Sequence, residues 1–147
     1  MYKIRKAIVA DLEQLLNLIK NINEKEQRYL RYDQESVELE ARFLKNIQED
    51  HVVLFTLGDK IFGFLEYDIQ AMSKIWVYSL YFEKEYRRTT YDLLIPTFVG
   101  MKKSYGLPIH FAVQKGNRPM ELLIKFIRAE FVREFEDGRC EYVVEVT

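Results

Sequence analysis

The residues best suited to chemistry form one short run: Glu85-Tyr86-Arg87-Arg88-Thr89-Thr90-Tyr91-Asp92. It follows an apolar, aromatic segment, Ile75 to Phe82, that alternates as a strand does. It precedes Leu93, Leu94, Phe98 and Met101, spaced as on a helix. A strand–turn–helix with arginines at the turn suits a pyrophosphate, because the first N–H groups of a helix point at the anion and the dipole favours it. Glycines usually let the backbone approach such an anion. This run has none, and Asp92 brings a negative charge. At an effective dielectric near ~20, a carboxylate within ~4–6 Å of a phosphate costs on the order of a few kcal/mol. Read as an N-cap, Asp92 would satisfy the helix donors itself. Pro96 adds a second constraint, since it cannot donate to the Asp92 carbonyl, and the helix is expected to start at Asp92 or nearer Pro96. Lys84, Arg87 and Arg88 read either as compensating cations for such an anion or as a solvated surface cluster.

Other chemistries find no support. Two histidines and one cysteine, far apart, give no metal-ligand spacing. No nucleophile elbow, Walker or dinucleotide glycine motif occurs. Basic and acidic residues interleave and the net charge is −1, so neither nucleic acid nor an anionic membrane is expected as a partner. The lone Cys140 excludes an intrachain disulfide framework and reads as a packed strand residue.

The elements that must position the turn can be read along the chain. At 147 residues, with 48% hydrophobic and 31% charged residues, one soluble domain spanning 1–147 is expected. No apolar run is long enough to span a membrane, and the N-terminus lacks a signal-peptide core, so a cytoplasmic location is expected. Tyr2 to Lys6 predicts a strand. Asp11 offers an N-cap for a helix carrying Leu12, Leu15, Leu16, Ile19 and Ile22. Glu24 to Asp33 reads as a solvated helix end or loop. A second helix runs from Gln34 to Ile47, with Val37, Ala41, Leu44 or Phe43, and Ile47 inward. Strands follow at His51 to Leu57, Ile61 to Ile69 and Lys74 to Phe82, the first two joined at Gly58-Asp59-Lys60. The helix after the turn ends at Gly106-Leu107-Pro108. Strand Ile109 to Val113 leads to a helix capped by Asn117 with Pro119 in its first turn. Phe131 to Phe135 and Cys140 to Val146 close the chain as a hairpin. The order is βααβββαβαββ, an α+β class with a mixed, mostly antiparallel sheet. The helix joining Ile75–Phe82 to Ile109–Val113 predicts a parallel pair. An exposed strand from Tyr142 to Val146 would pair edge to edge with a second copy, giving a homodimer.

This order resembles the GNAT superfamily of acetyl-coenzyme A-dependent N-acetyltransferases over essentially the whole chain. Ile4-Arg5-Lys6-Ala7 with Asp11-Leu12 looks like its opening strand and helix, and Gly58-Asp59-Lys60-Ile61-Phe62-Gly63-Phe64 like its second hairpin. Leu80-Tyr81-Phe82-Glu83-Lys84-Glu85-Tyr86-Arg87 is similar to the strand that enters the coenzyme site, and Asn117 with Met120 and Leu123 to the start of the later helix. The resemblance implies an α/β sandwich with helices on both faces. It implies acetyl-CoA, paired through the backbone of Leu80 and Phe82. Arg87 and Arg88 would contact its phosphates, with Thr89, Thr90, Asp92 and Asn117 as further coenzyme-site positions. The acceptor would be a small-molecule or protein amine.

The family's turn reads Gln/Arg-x-x-Gly-x-Gly/Ala. Aligned on Arg87, its glycine positions hold Thr90 and Asp92, so the turn is degenerate. The tyrosine that often protonates the thiolate corresponds to Ile124, and a glutamate common on the preceding strand corresponds to Tyr78. Direct transfer from thioester to amine needs a base and a donor to the thiolate. Glu66, Tyr78, Ser79 and His110 remain. Glu66 is a base candidate or a surface glutamate, His110 a base or a hydrogen-bonded core histidine, and Tyr78 a donor or a core residue. Two functions stand side by side: a divergent N-acetyltransferase, or a GNAT-like binding or regulatory module without coenzyme, whose aromatic groove would take another ligand or a peptide strand.

Overall fold

The computed structural model describes residues 1–22, 27 and 36–144; the side chains of residues 36, 37, 89 and 90 lie outside the description. The expected loop from Glu24 to Asp33 and the expected helix start at Gln34 therefore lie outside the described residues, apart from Gln27. The elements are β1 (Tyr2–Lys6), α1 (Leu12–Lys20), α2 (Ser36–Gln48), β2 (Val52–Leu57), β3 (Lys60–Gln70), β4 (Lys74–Phe82), α3 (Arg87–Tyr105), β5 (Ile109–Val113), α4 (Arg118–Ile127), β6 (Glu130–Glu134) and β7 (Cys140–Val144). Their order is the βααβββαβαββ that the sequence predicts. The strand order is β1-β2-β3-β4-β5-β7-β6. β4 and β5 are parallel, while β1–β2, β2–β3, β5–β7 and β6–β7 are antiparallel.

The chain divides into two compact units. One comprises Met1–Tyr67 and Ser79–Lys84, the other Asp68–Tyr78 and Glu85–Thr147.

In the first unit, α1 and α2 bury their apolar stripes against the β2–β3 hairpin. The core holds Leu15, Leu18, Ile19 and Ile22 from the first helical segment and Leu39, Phe43 and Ile47 from α2. Leu54, Ile61 and Phe64 complete it from the strands. The α2 stripe follows i, i+4 spacing through Phe43, so Ala41 is exposed rather than inward. Asp11 stands at the N-cap position of α1, as expected, but its side chain makes no cap bond there. It ends a 3-10 turn, Val9–Asp11, and its carboxylate accepts from the Ile8 N–H at 2.8 Å and from both arms of the Arg5 guanidinium at 2.7 and 2.8 Å. The Arg5 hydrogen bonds hold the Asp11 carboxyl below its ordinary range, against the opposing effect of burial. Gly63 on β3 is required by close approach: a Cβ there would meet Phe82 at 2.4 Å and the Tyr81 carbonyl at 2.7 Å. Phe82 packs edge-on to Phe55, with ring centroids 4.8 Å apart.

In the second unit, one side of β4 and β5 is buried and the other only partly covered. Ile75, Val77, Ile109, Phe111 and Val113 are buried. So are Leu94, Phe98 and Met101 of α3 and Leu123 and Ile127 of α4. Between the strand residues, Trp76, His110 and Ala112 are half-buried and Tyr78 is exposed. Alternation predicts one fate for Trp76, Tyr78, Leu80 and Phe82, yet Leu80 and Phe82, which belong to the first unit, are buried, as is Ser79. β7 lies between β5 and β6, paired on both sides, which corrects the expectation of an exposed strand from Tyr142; residues 145–147 lie outside the described residues. β6 ends the strand order instead, and its register shifts between Phe131 and Arg133. Such a bulge blunts an edge against pairing with another chain. Cys140 is buried, as expected.

Candidate functional site

The turn after β4 differs from its expected form. A 3-10 turn, Lys84–Tyr86, runs directly into α3, which begins at Arg87 with Tyr86 at the N-cap. Asp92 is therefore not a cap. It lies in the second turn of the helix and is exposed. Pro96 does not start the helix; it lies inside it. The helix tolerates it at the cost of the hydrogen bond that residue 96 would have donated to the Asp92 carbonyl. Next to it, the Thr97 hydroxyl donates to the Leu93 carbonyl at 2.8 Å.

This shift of start changes the electrostatics of the turn. The first turn of α3 holds Arg87, Arg88, Thr89 and Thr90, no acidic residue, and no side-chain cap bond at Tyr86. The negative charge that opposed a phosphate sits a turn further on. Tyr91 leans toward α4, its ring 5.4 Å from that of Phe126 and its hydroxyl 3.5 Å from the Pro119 carbonyl. Burial raises the Tyr91 hydroxyl above its ordinary pKa, and the nearby Arg87 charge pulls it the other way. At the start of α4, Asn117 holds the N-cap position through its backbone, its carbonyl accepting from Glu121 N–H at 3.0 Å. Its side chain makes no cap bond. The Glu121 carboxylate instead accepts from the Gly116 N–H at 3.0 Å.

The base candidates occupy two different settings. In the first unit, Glu66 is fully buried, which excludes the surface reading. Its carboxylate accepts bonds from Nε and Nη2 of Arg42, from Asn46 Nδ2 at 2.5 Å and from Ser79 Oγ at 3.0 Å. Every partner is a donor, and none of them would relay a proton near neutral pH. Leu80 and Phe82 lie in this same unit, on β4 just past Ser79.

In the second unit, the parallel ladder of β4 and β5 pairs Ile75 with Ile109, Trp76 with His110 and Val77 with Phe111. His110 thus shares a strand face with Trp76, and Tyr78 and Ala112 follow on that face two residues along each strand. His110 Nδ1 is 2.7 Å from Oε2 of Glu141, a buried carboxylate on β7 that the sequence reading did not single out. Glu141 Oε1 accepts from Arg133 Nε at 2.9 Å, and Lys74 Nζ stands 3.6 Å from Oε2. Burial pushes the Glu141 carboxyl up. The bonds from His110 and Arg133 and the charges of Lys74 and Arg133 outweigh it and hold the group below its ordinary range. The signal in the sequence was an acid within an apolar strand, Cys140-Glu141-Tyr142-Val143-Val144. A charge placed there needs a partner.

No helix among the described residues is long and apolar enough to cross a membrane. No family model matches the sequence, and no curated protein matches it significantly. Solved structures do resemble it. The GNAT domain of PAT from S. lividans aligns with a TM-score of 0.81 at 15% identity, over 99% of this chain and 90% of that one. A probable acetyltransferase from Staphylococcus epidermidis aligns at 0.77 and 14% identity over 100% of both chains. The PaiA N-acetyltransferase from Thermoplasma acidophilum, solved in complex with coenzyme A, aligns at 0.75 and 18% identity over 99% of both chains. The fold of this chain is that of the GNAT acetyltransferases.

Proposed function

We propose that the chain is an N-acetyltransferase that moves an acetyl group from acetyl-CoA to an amine. The observation that carries this reading is the start of α3 at Arg87, which leaves the first turn basic and without an acid. An anion is stabilised there by backbone N–H groups, the helix dipole and two guanidinium groups. Arg87, Arg88, Thr89 and Thr90 would hold the diphosphate, and the backbone of Leu80 and Phe82 the pantetheine. Asn117 would contribute from the start of α4. Asp92 has no part in it. The solved complex of a similar fold with coenzyme A supports the choice of ligand.

Acetyl-CoA supplies an activated acyl group. The chain's own residues handle protons. His110 would take the proton from the acceptor amine as the C–N bond forms, and Tyr78 would supply one to the departing thiolate sulfur as the C–S bond breaks. Glu66, with its oxygens held by Arg42, Asn46 and Ser79, serves structure in this reading. A cytoplasmic location fits the use of acetyl-CoA.

A second reading rests on the turn's lack of glycine, with Thr90 and Asp92 in the glycine positions and Pro96 inside the helix, together with Ile124, which is half-buried and cannot donate to a thiolate. The same fold would then bind no coenzyme and act as a regulatory module. Thermal unfolding with acetyl-CoA separates the two. Binding with millimolar ligand at ~100 times its dissociation constant adds about 2.7 kcal/mol to stability and raises Tm by several degrees. No shift at millimolar acetyl-CoA in a folded protein sinks the enzyme reading. Arg87→Ala with Arg88→Ala should weaken binding at least tenfold, while Asp92→Gly should leave it unchanged.

A further inference from the structure

Resting on the acetyltransferase reading, a further role concerns Glu141 rather than the coenzyme. An ionised carboxylate can only accept hydrogen bonds. Glu141 stays ionised at neutral pH in the company of Arg133 and Lys74. The 2.7 Å contact with His110 Nδ1 therefore requires the ring proton on Nδ1. A neutral imidazole carries one N–H, so its basic lone pair lies on Nε2. The ring is half-buried on the partly open face that also carries Trp76 and Tyr78. Lys74 is itself steadied over Trp76, with Nζ 5.3 Å from the ring centroid. Lys74 and Arg133 together keep the carboxylate in place and charged as the ring gains a proton.

We propose that Glu141 is a positioning residue that fixes the His110 tautomer, so that Nε2 is the nitrogen that receives the acceptor amine's proton. The arrangement predicts an asymmetric response to Glu141→Gln. Arg133 donates to Oε1 and would claim the amide oxygen. The amide NH2 would then face Nδ1, forcing the ring proton to Nε2 and removing the lone pair from it.

Two measurements test this on the full chain. The first is two-bond 1H–15N correlation of the His110 ring, which reports the tautomer without coenzyme or acceptor. The expected result is Nδ1–H in the wild type and Nε2–H in Glu141→Gln; Nε2–H in the wild type overturns the proposal. The second is acetyl transfer from acetyl-CoA to benzylamine, a lysine peptide and a peptide with a free α-amine. Both His110→Gln and Glu141→Gln should lower kcat on the order of 100-fold with little change in KM for acetyl-CoA, and Glu141→Asp should recover part of it. An unchanged kcat in a folded Glu141→Gln protein overturns the proposal. Absence of transfer by the wild type to all three amines, with acetyl-CoA shown to bind, removes the base role while leaving the tautomer result as evidence on Glu141 itself.

Discussion

Two buried carboxylates, one in each unit, are solved in opposite ways. Glu66 on β3 is surrounded by fixed donors: a guanidinium, an amide and a hydroxyl. Glu141 on β7 also has an arginine and a lysine, but one of its partners is an imidazole. The first arrangement has no group that changes charge near neutral pH, so it can only hold its elements in place. The second contains an imidazole, whose ring nitrogens donate or accept according to the tautomer. Burial and ion pairing alone do not distinguish a structural carboxylate from a candidate for chemistry; the chemical type of the partners separates the two.

The comparison breaks most visibly at Glu66. Glu66→Ala removes the acceptor that Arg42, Ser79 and Asn46 share. Loss of one member of a buried pair costs about 3–5 kcal/mol. Arg42 keeps some exposure, at 27% of its side chain, which places the expected loss near the lower end, about 3 kcal/mol. Urea unfolding measures it, and a loss under ~1 kcal/mol would show that the network is not structural.

Glu141→Gln should cost less, about 1–2 kcal/mol, since Arg133 is 60% exposed and can turn to water. Its pH dependence sharpens the contrast. The folded-state pKa of Glu141 lies below its unfolded value, so its contribution is complete above the unfolded carboxylate range and is lost as pH falls through the folded value. Wild type and Glu141→Gln should therefore differ in stability at pH 7 and converge at acid pH. A gap that persists unchanged to pH 2 contradicts the assignment of charge.

Asp11 gives the smallest effect and a control without histidine. Its carboxyl is also held low, chiefly by Arg5, so Asp11→Asn should follow the same sign, losing its effect as pH falls. With Arg5 at 42% exposure, about 1 kcal/mol or less is expected at neutral pH, shrinking further in high salt.

Much of the architecture was legible because periodicity is local. The apolar stripe of α1, the alternation of β5 and the two-residue hairpin at Gly58-Asp59 each read from neighbouring residues. The site was legible in part. His110 and Glu66 stood out as ionisable groups in apolar strands, but their partners did not. Arg42 reaches Glu66 from 24 residues away and Glu141 reaches His110 from 31 away. Such pairs depend on strand order and register, which a single sequence does not contain. Glu141 lies beside β5 only because β7 inserts between β5 and β6. The start of α3 was misread for a different reason. Asp92 is a good cap and Pro96 a good first residue. The helix nevertheless takes in Thr89, Thr90 and Tyr91, where Tyr91 meets Phe126 of α4. Tertiary packing overrode local preference.

Pro96 has one more effect. By removing a rung in mid-helix, it uncouples the opening of the first turns of α3 from that of the remainder. Amides of residues 91–95 should exchange with solvent deuterium faster than those of residues 98–102, and a phosphate-bearing ligand should slow the first group selectively. The N-terminal end of the helix is thus the end expected to open and close on its own.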